Sequence, residues 1–318
     1  MIDPKLKVLQ MVEEHGGVTA AAEAMGLKPS TVSYQLRQLA AQVGVVLIEP
    51  AGRGIKLTAA ARTLLRHAAV LEAQWERARS DLAAMADVQT GSFTLCGFST
   101  AATRLLPSTA ATLRERHPQL GVRLVEAEPA RCFELLLTGE ADLGLVVVTA
   151  DSPPLTDERF EQQPLLDDPL DLVVPADHPL AARERVVLAD AAHETWIVGT
   201  PGTTYHDLLV TACMAAGFMP DMGHQSDEWD TGTAMVAHGL GVILVPRLAR
   251  INTEWPVARI PLSGEPAPAR RILAATRKGG ARHPVVAQAL DLIKASASNL
   301  VPAGQPPEPE PCRTGRSL

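Results

Sequence analysis

TAAAEAMGLKPSTVSYQLRQL, residues 19–39, carries two helical patterns around a single glycine. Ala20, Ala21, Ala24 and Met25 fall at helical spacing on one face. Gly26 interrupts them where a tight turn needs a residue without a Cβ. A second pattern follows, with Val32, Leu36 and Leu39 pointing inward. Its other face holds Ser30, Thr31, Ser33, Tyr34, Gln35, Arg37 and Gln38. Two short helices, a small-residue turn and a polar outer face predict a helix-turn-helix. The second helix suits the major groove, where hydroxyl, amide and guanidinium groups read base edges. An ordinary packed helix pair would show the same pattern, so the flanking chain has to decide.

Upstream, residues 5–15 read as a helix with Leu6, Leu9 and Val12 inward, ended by Gly16-Gly17. Downstream, Val46-Leu47-Ile48, a turn at Ala51-Gly52-Arg53-Gly54 and Ile55-Lys56-Leu57 predict a hairpin beside the recognition helix. Such a hairpin is a wing. Arg53 at its tip and Lys56 at its edge suit phosphate or minor-groove contact, although a solvated loop would carry them equally well. Thr58 is a suitable N-cap for a helix from about 59 to 87. Along it Leu64, Ala68, Leu71, Trp75, Ala78, Leu82 and Met85 alternate steps of four and three. This narrow 3.5-residue stripe is a coiled-coil seam, and the simplest partner is the same helix of a second copy. The dimer would place two winged heads on one DNA site.

From Ser92 the pattern changes to short apolar strands alternating with helices. Strands are predicted near 93–98, 122–126, 143–148, 170–175, 195–198, 222–226, 241–245 and 271–275. Helices are predicted near 104–117, 130–138, 204–216, 230–238 and 284–297. This alternation implies an α/β body with mostly parallel sheets, long enough for two lobes. The division expected is 1–58 head, 59–88 linker, 92–300 two-lobed body, and 301–318 a Pro- and Glu-rich disordered tail.

Composition agrees. Of 318 residues 46% are hydrophobic but only 3% aromatic, so the cores rest on Ala, Val and Leu. Net charge is −7. Residues 1–66 nevertheless hold eight Lys/Arg against five Asp/Glu, a balance of +3. A basic head on an acidic body fits a DNA-binding domain joined to one that does not touch DNA. No apolar run of membrane length and no signal sequence is visible, which predicts a cytoplasmic protein without membrane contact. Cys96, Cys132, Cys213 and Cys312 show no metal-ligand spacing and no CxxC, so reduced thiols are expected. The nine histidines are scattered, and no HExxH, GxSxG or GxxxxGK[ST] run occurs. Neither catalytic residues, a metal nor a cofactor is expected.

Two hydroxyl-rich loops follow predicted strands, Ser99-Thr100-Ala101-Ala102-Thr103 and Gly199-Thr200-Pro201-Gly202-Thr203-Thr204. Strand ends leading into helix N-termini are where α/β sheets bind ligands, and the free N–H groups there favour anions. The two loops would belong to opposite lobes and face each other. Helix capping explains individual hydroxyls as well.

With these parts placed, the chain resembles a LysR-type transcriptional regulator over roughly residues 4–298. The head carries the resemblance in AAAEAMGL, VSYQLRQL and GRGIKLT. The body carries it in LLLTGEADLGLVV (135–147), PADHPLA (175–181), CMAAGFMP (213–220) and VAHGLGVILVP (236–246). The resemblance implies a winged helix-turn-helix, a dimerising linker helix and a periplasmic-binding-protein-like domain with a small-molecule effector in its cleft. It implies homodimers and commonly homotetramers, with RNA polymerase a candidate further partner. DNA contacts would fall on Ser30, Thr31, Ser33, Tyr34, Gln35, Arg37 and Arg53. Effector contacts would fall on both hydroxyl loops and add Glu128, Val147 to Thr149, Ser226 to Glu228, and Val245-Pro246. Were Asp227 or Glu128 to face the cleft, a cationic group on the effector would fit. The head departs from the family at Lys28-Pro29, Tyr34 and Pro50, which bears on the DNA contacts but not the fold, because proline is tolerated in a first helical turn. The competing class is a stand-alone solute-binding protein, which would have no use for the head.

Overall fold

The computed structural model describes residues 3–52, 54–86, 89–149, 152–264 and 267–300. Contacts divide the chain into two compact units, one of residues 1–164 and 272–291, the other of 165–271 and 292–318. The first unit thus joins the head, the linker and one lobe.

The head comprises α1 (Pro4–Glu14), α2 (Val18–Ala24), α3 (Pro29–Val43) and a hairpin of β1 (Ile48–Ala51) with β2 (Gly54–Leu57). Asp3 caps α1 by accepting from Lys5 N at 3.0 Å. Between α2 and α3 the chain reverses at Gly26, φ +63°, and Leu27 N donates to Ala22 O at 2.8 Å. An L-residue is strained at that φ, which explains the glycine. Leu9, Met11, Val32, Leu36 and Leu39 are buried together. Thr58 then caps α4 (Ala59–Ala84) by accepting from Ala61 N at 3.1 Å, and its hydroxyl donates to Val46 O at 2.8 Å. One side chain therefore fixes both the start of the linker and the base of the wing.

The lobe of the first unit holds β3 (Gly91–Gly97), α5 (Ser99–Arg104), α6 (Leu106–Arg116), β4 (Leu120–Glu126), α7 (Pro129–Thr138) and β5 (Leu143–Val147). α6 matches the helix expected near 104–117, whereas Ser99–Thr103, read as a hydroxyl-rich loop, forms a further short helix, α5, separated from α6 at Leu105. Pro107 is the reason: it sits in the first turn of α6, and a helix continuing from Ser99 would drive its ring against the Thr103 carbonyl. β3 pairs parallel with β4 and β5.

The chain leaves along β6 (Phe160–Pro175). The second unit adds β7 (Val186–Val187), β8 (Thr195–Val198), α8 (Thr204–Ala215), β9 (Asp221–Gln225), α9 (Trp229–Ala237), β10 (Ile243–Pro246) and β11 (Val257–Ser263). β12 (Ala269–Arg277) returns to the first unit and α10 (Pro284–Leu300) follows. The sheets are mixed rather than mostly parallel. β12, on the chain's return to the first unit, runs antiparallel to β5, and β10 and β11 run antiparallel to β6. β8 and β9 form a separate parallel pair. Trp196, Leu172, Val174, Leu209, Cys213 and Leu244 form the core of the second unit. Beside it Asp168 is fully buried, accepting from Arg270 Nη2 at 2.6 Å and Leu248 N at 2.9 Å. Asp171 accepts two bonds from Arg247, at 3.1 and 2.6 Å.

Candidate DNA interface and effector loops

α3 buries Val32, Leu36 and Leu39 and turns its other side outward. Ser30, Tyr34 and Arg37 are exposed, while Thr31, Ser33 and Gln35 flank them half-buried. Gln38 Nε2 donates to the Tyr34 hydroxyl at 2.6 Å one turn away, which orders the phenol against its own helix. Gln38 is thus a positioning group for the reading face. On the wing, Lys56 stands opposite Glu49 across the strands and pairs with it at 3.2 Å, both largely exposed. Such a pair holds little energy, so Lys56 can exchange Glu49 for a phosphate. Arg53 lies outside the described residues.

In the first unit, Ser99 opens α5 and Thr100 is buried. The Thr103 hydroxyl donates back to Ser99 O at 2.9 Å and so serves its own helix. Glu128 is exposed at the N-cap of α7, and Val147 is buried at the end of β5. Thr149 bonds Ser152 twice, N to Oγ at 2.9 Å and hydroxyl to hydroxyl at 3.0 Å.

The loop 199–204 of the second unit is the most organised of these sites. Thr200 donates to both oxygens of Asp227, from N at 2.7 Å and from Oγ1 at 2.5 Å. Gln225 Nε2 donates to the same Thr200 hydroxyl. Thr203 caps α8 by accepting from His206 N at 3.3 Å, and its hydroxyl donates to Thr200 O at 2.8 Å. Ser226 donates to Glu228 O at 2.9 Å. Gly202 and Thr204 complete the turn, and Pro246 is buried at the end of β10. Gly199 makes this possible: a Cβ there would stand 2.8 Å from Thr203 Oγ1 and 2.9 Å from the Tyr205 ring. Tyr205 is the residue that pattern reading passed over. Its hydroxyl donates to Leu244 O at 2.9 Å, its ring meets Trp229 edge-on at 4.7 Å, and burial pushes its phenol well above the ordinary range. It holds α8, α9 and β10 together as a neutral donor. Only its aromatic character in a helical first turn could have flagged it. Both oxygens of Asp227 are engaged by Thr200, so this carboxylate shapes the loop before it can meet a cation.

The seam residues divide. Leu64 packs against the head core and Ala68 is buried within the chain. Leu71, Trp75 and Leu82 are 58%, 43% and 65% exposed, with Ala78 half-buried between them. The opposite side of α4 buries Ala69, Ala73 and Ser80. Exposed apolar groups on one stripe of a helix whose other side is already packed mark an unfilled contact.

The family model for "Bacterial regulatory helix-turn-helix protein, lysR family" matches residues 4–62, and that for "LysR substrate binding domain" matches residues 86–298. A hydrogen peroxide-inducible genes activator of Dickeya chrysanthemi is 31% identical over 251 residues, covering 77% of this chain and 78% of its own. Among solved structures, a full-length OxyR variant from Pseudomonas aeruginosa superposes with a TM-score of 0.65 at 22% identity, covering 96% of this chain and 99% of that one. Full-length CbnR complexed with its target DNA superposes with a TM-score of 0.53 at 25% identity, covering 93% and 100%.

Proposed function

Since this chain belongs to the LysR family of bacterial DNA-binding transcriptional regulators, we propose that it reads operator DNA as a homodimer, assembled further into a homotetramer, under the control of a small-molecule effector. The observation that carries the reading is the exposed Ser30-Tyr34-Arg37 face of α3, backed by a buried core that fixes its orientation. The full-length CbnR relative is a structure with target DNA, which supports DNA as the partner here. Operator binding puts the working protein in the cytoplasm and makes RNA polymerase a candidate neighbour at the promoter. Among the described residues no helix is long and apolar enough to cross a membrane. No catalytic role is assigned, in line with relatives that are regulators.

Effector control rests on strand-end loops in each unit. Ligand that favours one arrangement shifts the population of regulator states, and with it the aim of the heads. First-turn amides of α8 favour a carboxylate. In this proposal Thr200, Thr203 and Asp227 hold the loop in binding form. Gly199→Ala is expected to weaken effector binding at least tenfold, since its Cβ would displace Thr203; calorimetric titration checks it.

The Dickeya relative is named for peroxide induction. Peroxide attacks thiolates, which need exposure and a lowered pKa. Cys96, Cys132 and Cys213 are all buried. Burial pushes Cys213 up to about 12, and a hydrogen bond with the Cys96 sulfur together with burial pushes Cys132 up as well. Cys312 lies outside the described residues. The signal sensed here therefore does not pass through these three thiols. Peroxide treatment should leave these three alkylatable after denaturation. A Cys96–Cys132 disulfide seen by mass spectrometry would overturn this.

The function itself is tested by fluorescence anisotropy with DNA from upstream of the gene and a shuffled duplex, across a salt series. At least tenfold tighter binding to the native sequence is expected; equal binding to both would refute operator reading by this face. Arg37→Ala should weaken native binding about tenfold and, if the guanidinium meets a phosphate, lower the salt slope by about 1.

A further inference from the structure

The first unit contains a cavity of about 330 Å³ where α1, α4 and the returning end of β12 meet. That is the small end of ligand pockets, which span about 300–1,000 Å³. Most charges on its walls are already matched. Arg277 pairs with Glu76 at 3.1 Å and Asp142 at 3.2 Å. Arg79 shares Glu76 at 3.1 Å. Arg159 pairs with Asp157 at 2.7 Å and also with Glu14. Asp3 pairs with Lys5 at 3.0 Å.

Three wall groups stand apart. Among the described residues, the side chains of Lys7, Glu72 and Lys278 have no hydrogen bond and no ion pair within 4.0 Å. Lys7 and Glu72 are half-buried, and burial pushes the ammonium down and the carboxyl up. The two attract each other, but from beyond ion-pair distance, and that attraction does not offset the desolvation. Each thus lacks the close counter-charge that its burial calls for. Gly139, the left-handed C-cap of α7, lies beside the lysine, where a Cβ would be in ordinary contact at 3.9 Å from Lys7 Nζ. Trp75 and Leu137 supply apolar wall.

A simple anion would satisfy the lysines and leave Glu72 unmatched, and a simple amine would do the reverse. We propose that this cavity binds a free α-amino acid, its ammonium on Glu72 and its carboxylate on Lys7, with a dicarboxylic amino acid also meeting Lys278. Such a ligand touches head, linker and lobe at once. Its occupancy would therefore couple to how firmly the head is held, and DNA would in turn alter its affinity. The site is separate from the strand-end loops assigned to the effector.

Calorimetric titration of the full-length protein with L-glutamate, glutarate and L-leucine tests this. L-glutamate is expected to bind at least tenfold tighter than glutarate, which lacks the ammonium, and L-leucine, which lacks the second carboxylate, should fall between. Glu72→Gln should weaken L-glutamate at least tenfold and bring glutarate to parity with it. This ratio is read within one variant and does not depend on the fraction folded. Lys7→Met should weaken L-glutamate by a similar factor, and Asp227→Asn should change it less than twofold. No heat with L-glutamate, equal wild-type affinity for glutarate, or a loss in Asp227→Asn without one in Glu72→Gln would each overturn the proposal.

Discussion

Asp168→Ala is expected to destabilise the second unit by about 3–5 kcal/mol, the cost of breaking a buried ion pair by removing one member. Asp168 is 0% exposed and Arg270 only 8%. The carboxylate answers both the guanidinium and the Leu248 amide, so its removal takes a charged hydrogen bond from Arg270 and the acceptor from one buried N–H together. Urea melts followed by tryptophan fluorescence check this, because Trp196 lies in the adjoining core. A loss under about 1 kcal/mol would show that water reaches Arg270 in the variant. The double variant Asp168→Leu with Arg270→Met should recover most of the loss, since replacing a buried pair by apolar groups of similar volume is often neutral. Arg271 with Asp167, one residue away on the same two strands but 63% and 56% exposed, is the control. Its removal should cost less than about 1 kcal/mol.

The second large effect concerns the linker. Leu71→Asp together with Leu82→Asp places two carboxylates on the exposed apolar stripe of α4. The protein should then sediment as a monomer. Operator affinity should fall by about 10²–10⁴, because two linked heads share one effective concentration and a lone head does not. Melting of the head should barely change, since neither leucine belongs to its core. Unaltered sedimentation would remove α4 from the interface. Ala68→Asp makes an instructive contrast. Ala68 is buried within its own chain, so a carboxylate there should reduce folding stability rather than self-association.

The head was legible because its information is local. Gly26, the period of Val32-Leu36-Leu39 and the Thr58 cap lie within a few residues of what they shape. The strands with a full apolar run, such as β5 and β8, were legible for the same reason. What escaped depends on distant chain. β11 contains Pro261, which speaks against a strand in isolation, yet it is held beside β6 by a ladder ending at Asp171. β6 is far longer than its apolar end at 170–175, because its polar first half is fixed by where the chain must go rather than by burial. The short helix α5 escaped because Ser99 to Arg104 are too few residues to show a helical period and read first as a hydroxyl-rich loop. Among site residues, Thr200 and Asp227 were named separately. Their bond across 27 positions, and the Gln225 amide that joins it, left no mark in spacing. Trp75 and Leu71 were named from period alone, but which part of the stripe remains uncovered depends on how α4 packs against the rest of its unit.

The two crossings described above also impose an order on synthesis. β5 ends at Val147, and its antiparallel partner β12 is not complete until Arg277. The first lobe therefore has an open sheet edge while more than a hundred further residues are made. Open edges invite pairing with other chains, so this is the interval in which the nascent protein is most exposed to aggregation. The head, whose core needs nothing beyond Leu65, can fold before the lobe has begun. A ribosome stalled after the head would present a DNA-binding module with no effector control, and one stalled before Arg277 would present a lobe that cannot close.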